Sequence, residues 1–318
     1  MTYFAHARTA LKSGLTFLGC KPGDRILVPE YICDALIHPI RHLDIIPVYY
    51  PVDDQFNPLW ECLSQLVFPK ACRAIVMVHY FGQPQDILRF QRFSKKHNLF
   101  LIEDNAHGFG GRNSGRLLGT FGDIGIVSPR KLLNTKYGGQ LYVSDTLQSA
   151  SESLKKKRQQ MAYWAVKNLL TNWPAVRSRL FGFFGRIPNV DDATSFKEPE
   201  VKDGAADWFS SWIIKRVANN HRLDWIALKR RQKWESINNI IVEMDVEPAF
   251  AQVSEQSSPW AYPFYTKSGE QREEIKNYLF SKGYNVFAWP ALPSEILSDV
   301  SYKDSADRWH RLLCVSLD

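Results

Sequence analysis

The chain has no long apolar run. None of its hydrophobic stretches approaches the roughly 20 residues that a membrane-spanning helix needs, and the opening MTYFAHARTALKSG has neither the apolar core nor the cleavage pattern of a secretory signal. A cytoplasmic protein with no membrane span is the expectation. Cysteine is scarce and scattered. Cys20, Cys33, Cys62, Cys72 and Cys314 are odd in number, form no Cys-x-x-Cys pair and accompany no histidine cluster of zinc-like spacing. That argues against a disulfide framework and offers no metal site, so reduced thiols, mostly in the core, are expected. No G-x-G-x-x-G follows the first strand-like segment, and the run Gly108 to Gly111 lacks that spacing and context, which argues against a nicotinamide-linked enzyme. No nucleic-acid-binding signature accompanies the net charge of +7, a moderate value for 318 residues that suits anionic small-molecule substrates or a basic surface.

What is present is material for a sizeable core. A hydrophobic fraction of 45% over this length supports two domains, or one large α/β domain with an appendage. Strand-like runs at Arg25 to Val28, Ile45 to Tyr50 and Ala74 to Val78 alternate with helical or turn segments, one of them a helix around Ala35 to Leu43. That alternation implies a mostly parallel sheet flanked by helices. Ala7-Arg8-Thr9-Ala10-Leu11 opens an apolar-periodic helix, and such an N-terminus can bind anions through its free N–H groups.

The stretch from Leu99 to Gly139 gathers acidic, basic and Gly-rich elements. Leu99 to Ile102 reads as a buried strand ending in Glu103, Asp104 and Asn105 before a Gly-rich turn, and Ile124 to Val127 reads as a second strand ending in Ser128, Pro129, Arg130 and Lys131. Carboxylate, hydroxyl and amine thus fall at strand C-termini, the edge where open α/β sheets bind ligands. An aspartate facing a lysine across a cleft suits pyridoxal phosphate: the lysine forms the Schiff base, and the aspartate holds the pyridine nitrogen protonated. Singly, these residues read more readily as a helix N-cap and a solvated surface amine.

Together, EDNAHGFGG, then GDIGIVS, then lysine, then Gly138-Gly139 resemble the pyridoxal-phosphate sugar aminotransferases called the DegT/StrS family. The resemblance implies a fold-type I α/β architecture, with a large, mostly parallel domain and a small C-terminal α+β domain. It carries Asp104 onto the pyridine-nitrogen partner, His107 onto the residue on the ring-hydroxyl side and Ser128 onto a phosphate ligand. Arg8, Thr9 and Ala10 match the segment that grips the phosphate, although Ala7 stands where the family usually has Gly. Of two lysines ahead of the Gly pair, Lys131 fits a short variant of the loop, three residues after Ser128, and is preferred to Lys136 for the Schiff base. The commoner family spacing falls on Leu133. His79, in His79-Tyr80-Phe81-Gly82-Gln83-Pro84, matches a strand-end segment near the cofactor, and a structural role is the reading preferred for it.

Some positions depart from the family pattern. Cys33 occupies the place of an aromatic residue that stacks on the ring, the N-x-R-M signature is missing, and both ends are shorter than the pattern. Residues 1–205 read as the large cofactor-binding domain, with 150–204 as a helical and loop extension, and 206–318 as linking helices and the small domain. Within the extension, Met161 to Arg186 is a basic amphipathic pattern that suits helices at a domain or dimer interface, or a membrane or partner surface. Ala205 to Asn239 reads as helix, Pro259 to Tyr265 and Asn285 to Trp289 as strands, and Gln271 to Lys282 as helix. The resemblance implies a homodimeric aminotransferase moving an amino group from glutamate or glutamine to a keto sugar, nucleotide-linked. Alternatives are a sugar dehydratase, against which a lysine at 131 argues, and a non-catalytic binding or regulatory protein on the same fold.

Overall fold

The computed structural model describes residues 1–65, 71–133, 135–148, 208–218 and 222–318. The readings made for Met161 to Arg186 and for the extension at 150–204 lie outside the described residues.

The larger sheet uses β1 (Thr2–Phe4), β2 (Arg25–Pro29), β3 (Ile46–Tyr50), β4 (Cys72–Val78), β5 (Phe100–Asn105), β8 (Ile124–Val127) and β9 (Gly139–Val143). The numbers β6 and β7 belong to the short hairpin Arg112–Asn113 and Arg116–Leu117. Its strand order is β1-β9-β8-β5-β4-β2-β3, and only β9 runs against its neighbours. The central strands read Ile-Val-Leu because both faces are covered: Ile26, Leu27, Ala74, Ile75, Val76, Met77, Ile102 and Ile124 are fully buried. Helix α1 (Ala7–Phe17) turns Ala10, Leu11, Gly14 and Leu15 inward. A Cβ on Gly14 would lie 2.7 Å from Ile124 Cδ1, so glycine there sets how closely α1 approaches β8.

Strand β5 is longer than its apolar run. Glu103, Asp104 and Asn105 belong to the strand, paired with Gly125, Ile126 and Val127 of β8. A buried carboxylate is compatible with a central strand here because Glu103 is saturated. It accepts the amides of Gly119 (2.6 Å), Phe121 and Gly122 (3.0 Å) and faces His79 Nε2 at 2.8 Å. His79 Nδ1 accepts Gln85 N–H at 3.1 Å, which puts the ring proton on Nε2.

The C-terminal part forms an antiparallel sheet ordered β10 (Glu247–Pro248), β11 (Ala261–Tyr265), β13 (Leu312–Ser316) and β12 (Val286–Ala288). Of the span read as helical from Ala205 to Asn239, the described residues form the helices Trp208–Ala218 and Arg222–Ile241. Strand alternation decides the packing. Tyr262, Phe264, Leu313 and Val315 meet the helices at Trp234, Ile237 and Leu279, whereas Ala261, Tyr265, Leu312 and Cys314 join the core of the larger sheet. A buried cluster ties the two sheets: Ser305 Oγ donates to Glu30 at 2.9 Å, and the Arg308 guanidinium lies 3.4 Å from the same oxygen. All five cysteines are free thiols: Cys314 lies in the core, Cys20, Cys33 and Cys72 are partly buried against it, and Cys62 is exposed. No described helix is long and apolar enough to cross a membrane, and no metal-binding group of three His, Cys, Asp or Glu side chains occurs among the described residues.

Candidate active site

The C-terminal ends of β2, β4, β5 and β8 open toward one region, and the start of α1 is drawn to it by the pair Gly138-Gly139. A Cβ on Gly139 would sit 2.2 Å from the His6 carbonyl carbon, and one on Gly138 would sit 3.1 Å from the Arg130 nitrogen. Any side chain at these two positions would force apart the helix start and the loop after β8. Ala10 makes the first intrahelical bond, to His6 O at 3.1 Å, so the amides ahead of it have no helical acceptor. The first turn of α1 contains no acidic residue, and His6 supplies no side-chain cap. Arg8 lies near enough to Arg130 that, after burial, its charge is the main influence lowering the Arg130 guanidinium. Thr9 is half-buried and Ala10 fully buried. Ser128 is buried at the start of a short 3-10 turn, and its hydroxyl makes no cap bond.

Lys131 follows in that turn, its N–H bonded to Ser128 O at 3.1 Å. Burial lowers its amine, Cys33 and Asp104 pull it back up, and Arg130 lowers it again. Asp104 is the reciprocal case. Burial raises its carboxyl, against the Ala106 N–H bond (2.8 Å to Oδ1) and the charge of Lys131. No hydrogen bond reaches Asp104 Oδ2 among the described residues. Cys33, which opens helix α2 (Asp34–Arg41), has a thiol raised by burial and lowered by Lys131. Lys131 therefore lies close enough to Asp104 and to Cys33 to shift the ionisation of each. Lys136 is exposed and lies over the Tyr137 ring at 5.2 Å.

His107 borders the same region. Burial, reinforced by Lys131, holds it well below the usual histidine range, so it is neutral. Phe81 N–H reaches its Nδ1 at 3.3 Å, leaving the proton on Nε2. A carboxylate, an amine and a neutral imidazole donor converging beside an acid-free helix start form a donor set that fits a pyridine ring bearing an aldehyde, a hydroxyl and a phosphate.

Sequence reasoning missed what the C-terminal part brings. The Gly-rich turn is a seat for residues 256–260. Cβ atoms on Gly82 and Gly111 would fall 2.5 Å from Ser258 O and 3.1 Å from Ser258 N, and Arg112 N–H bonds Gln256 O at 2.7 Å. The result is Trp260 stacked on His107 at 4.4 Å and 28°, its ring 4.7 Å from Lys131 Nζ. Trp289 meets His107 edge-on at 5.2 Å. The sequence offers only an aromatic within the strand read at Pro259 to Tyr265, which in the structure begins at Ala261.

This sheet order with a single reversed strand, carrying an amine and a carboxylate at adjacent strand ends, is the fold-type I architecture of pyridoxal-phosphate aminotransferases. Residues 3–196 match the model of the DegT/DnrJ/EryC1/StrS aminotransferase family, and the chain belongs to that family. It is 26% identical over 294 residues to GDP-perosamine synthase of Escherichia coli O157:H7, spanning 88% of this chain and 69% of that one. It is 32% identical over 219 residues to the UDP-N-acetyl-3-dehydro-alpha-D-glucosamine 3-aminotransferase of Acidithiobacillus ferrooxidans, spanning 66% of this chain and 56% of the relative. In three dimensions it resembles Spr1654 of Streptococcus pneumoniae, with TM-score 0.69 at 18% identity, covering 99% of this chain and 81% of that one. Spr1654 has been solved in PLP and PMP forms.

Proposed function

We propose that this protein is a pyridoxal-phosphate-dependent aminotransferase that passes an amino group from glutamate or glutamine to a nucleotide-linked keto sugar. The observation that carries the reading is the placement of Asp104 at the end of β5 and Lys131 just beyond the adjacent β8, near enough for each to alter the other's ionisation. The sugar class rests on relatives such as the GDP-perosamine synthase. A homodimer in the cytoplasm, and the division of the chain at 205/206, belong to the same proposal.

Bound here, the cofactor would act as an electron sink for the carbon that gains or loses nitrogen. Lys131 would hold it through its amine and, once released, carry the proton to and from the reacting carbon. Burial suits the amine to that exchange by bringing its proton affinity nearer to neutrality. Asp104 Oδ2 would pair with the ring nitrogen, and the Ala106 N–H bond fixes the carboxylate's orientation. His107, neutral, would donate from Nε2 to the ring hydroxyl. Ser128 and the backbone amides at the start of α1 would hold the phosphate, with the Arg8 side chain beside them. Cys33, small and polarizable, would pack where relatives use an aromatic.

The test is an amino-donor screen on the purified chain supplied with pyridoxal phosphate. Conversion of glutamate or glutamine to its keto acid, dependent on a keto-sugar nucleotide, is the expected result. No half-reaction with any donor would favour the non-catalytic alternative.

A further inference from the structure

We infer that Trp260 is a positioning residue for Lys131, its indole face holding the lysine ammonium where it must work. The inference rests on Lys131 being the cofactor's attachment point. The ammonium nitrogen lies 4.7 Å from the indole centroid, within the range of a cation–π contact, for which tryptophan gives the strongest face.

The indole is a fixed wall. Trp260 N–H donates to Phe81 O at 2.9 Å, and Trp260 O accepts Arg230 Nη1 at 3.2 Å, so the backbone is pinned on both sides. The acceptor residue Phe81 itself holds a left-handed backbone, φ 54°, and is fully buried. A bulky residue keeps that conformation only where its surroundings over-determine it. Just upstream, Ser258 is seated on Gly82 and Gly111, where an added Cβ would lie 2.5 Å from its carbonyl oxygen and 3.1 Å from its nitrogen. His107 and Phe287 pack on the indole at 4.4 Å and 5.1 Å.

The groups facing Lys131 are few. Cys33 and Asp104 favour its charged form, Arg130 opposes it, and His107 is neutral. Burial acts with Arg130. The indole face adds a second stabiliser of the ammonium beside Asp104, one that brings no charge and leaves the carboxylate available to a ring nitrogen. It also supplies the aromatic surface that Cys33 does not, from the opposite end of the chain.

The test reads the protonation midpoint of Lys131 in the full chain freed of cofactor. Trace acetic anhydride labels amines across a pH series, and mass spectrometry follows Lys131 against Lys136. In Trp260→Leu the Lys131 midpoint should fall by about one unit; in Trp260→Phe, which keeps a weaker face and the packing, it should fall by less. Lys136 should not move. Midpoints equal to wild type in both variants would overturn the inference, and the Phe variant decides alone if the Leu variant does not fold. Borohydride trapping of pyridoxal phosphate on wild-type Lys131 is scored separately. Its failure removes the aminotransferase reading, whereas an unmoved midpoint removes only the role of Trp260.

Discussion

The N–H of Phe81 donates to Nδ1 of His107 at 3.3 Å from a backbone held at φ 54°. One turn after β4 thereby decides which nitrogen of a histidine after β5 carries the proton. The residues between are chosen for that contact: Gly82 allows Ser258 and the His107 carbonyl to close in, where a Cβ would meet them at 2.5 and 2.8 Å.

A neutral His107 gives stability a pH dependence of known sign. Its native proton affinity is lowered by burial and by Lys131, so below the ordinary value of 6.5 the unfolded chain binds a proton that the native chain does not. Stability should therefore fall as pH falls from that value, by up to about 1.4 kcal/mol per unit. His107→Gln should remove this slope. Urea unfolding at about pH 7.5 and pH 5.5 measures it, and parallel behaviour of the two chains would contradict the assignment.

Gly82 sits at φ 85°, beneath Ser258 O. Gly82→Ala should cost about 2–4 kcal/mol in urea unfolding, from backbone strain plus collision with a carbonyl that cannot retreat. A loss below about 0.5 kcal/mol would mean that residues 256–260 are not seated as described.

Glu103 and His79 should behave as structural partners. Glu103→Ala leaves the amides of Gly119, Phe121 and Gly122 and the His79 N–H without an acceptor. A loss of about 3–5 kcal/mol is expected in urea unfolding. A loss under about 1 kcal/mol would show that water replaces the carboxylate.

The α/β class, the parallel sheet and the position of α1 were legible in the sequence because period and punctuation are local properties. β8 was read to the residue, since Gly122-Asp123 and Ser128-Pro129 bracket it. The reading of β5 starts one residue early and stops three short: hydropathy rejects Glu103, Asp104 and Asn105, and the partners that satisfy Glu103 and Asn105, the amides of Gly119, Phe121 and Gly122 and the carbonyls of Gly108 and Leu118, come from later in the chain. The Gly-rich turn is visible in the sequence, but its reasons are not, because the atoms it makes room for include Gly82 at Gly108, Leu223 at Gly110 and Ser258 at Gly111, all distant in the chain. Trp260 could not be found at all by pattern, since its partners His107 and Lys131 are distant in the chain. Choosing between Lys131 and Lys136 needed a resemblance, as spacing alone leaves both near the Gly pair.

Asp104→Asn should separate fold from chemistry. The amide oxygen can still accept Ala106 N–H, so unfolding should change little. Without the charge that keeps a ring nitrogen protonated, the half-reaction with an amino donor should slow at least about 100-fold. Stopped-flow absorbance with bound cofactor checks this, and near-wild-type rates would remove Asp104 from the site.

Whether Lys131 holds the cofactor is settled by borohydride reduction of the protein with pyridoxal phosphate, followed by peptide mapping. A visible band lost on reduction and a single modified residue, Lys131, are expected, with Lys131→Ala giving neither band nor label. Label on Lys136, label spread over surface lysines, or no band at all would contradict that role.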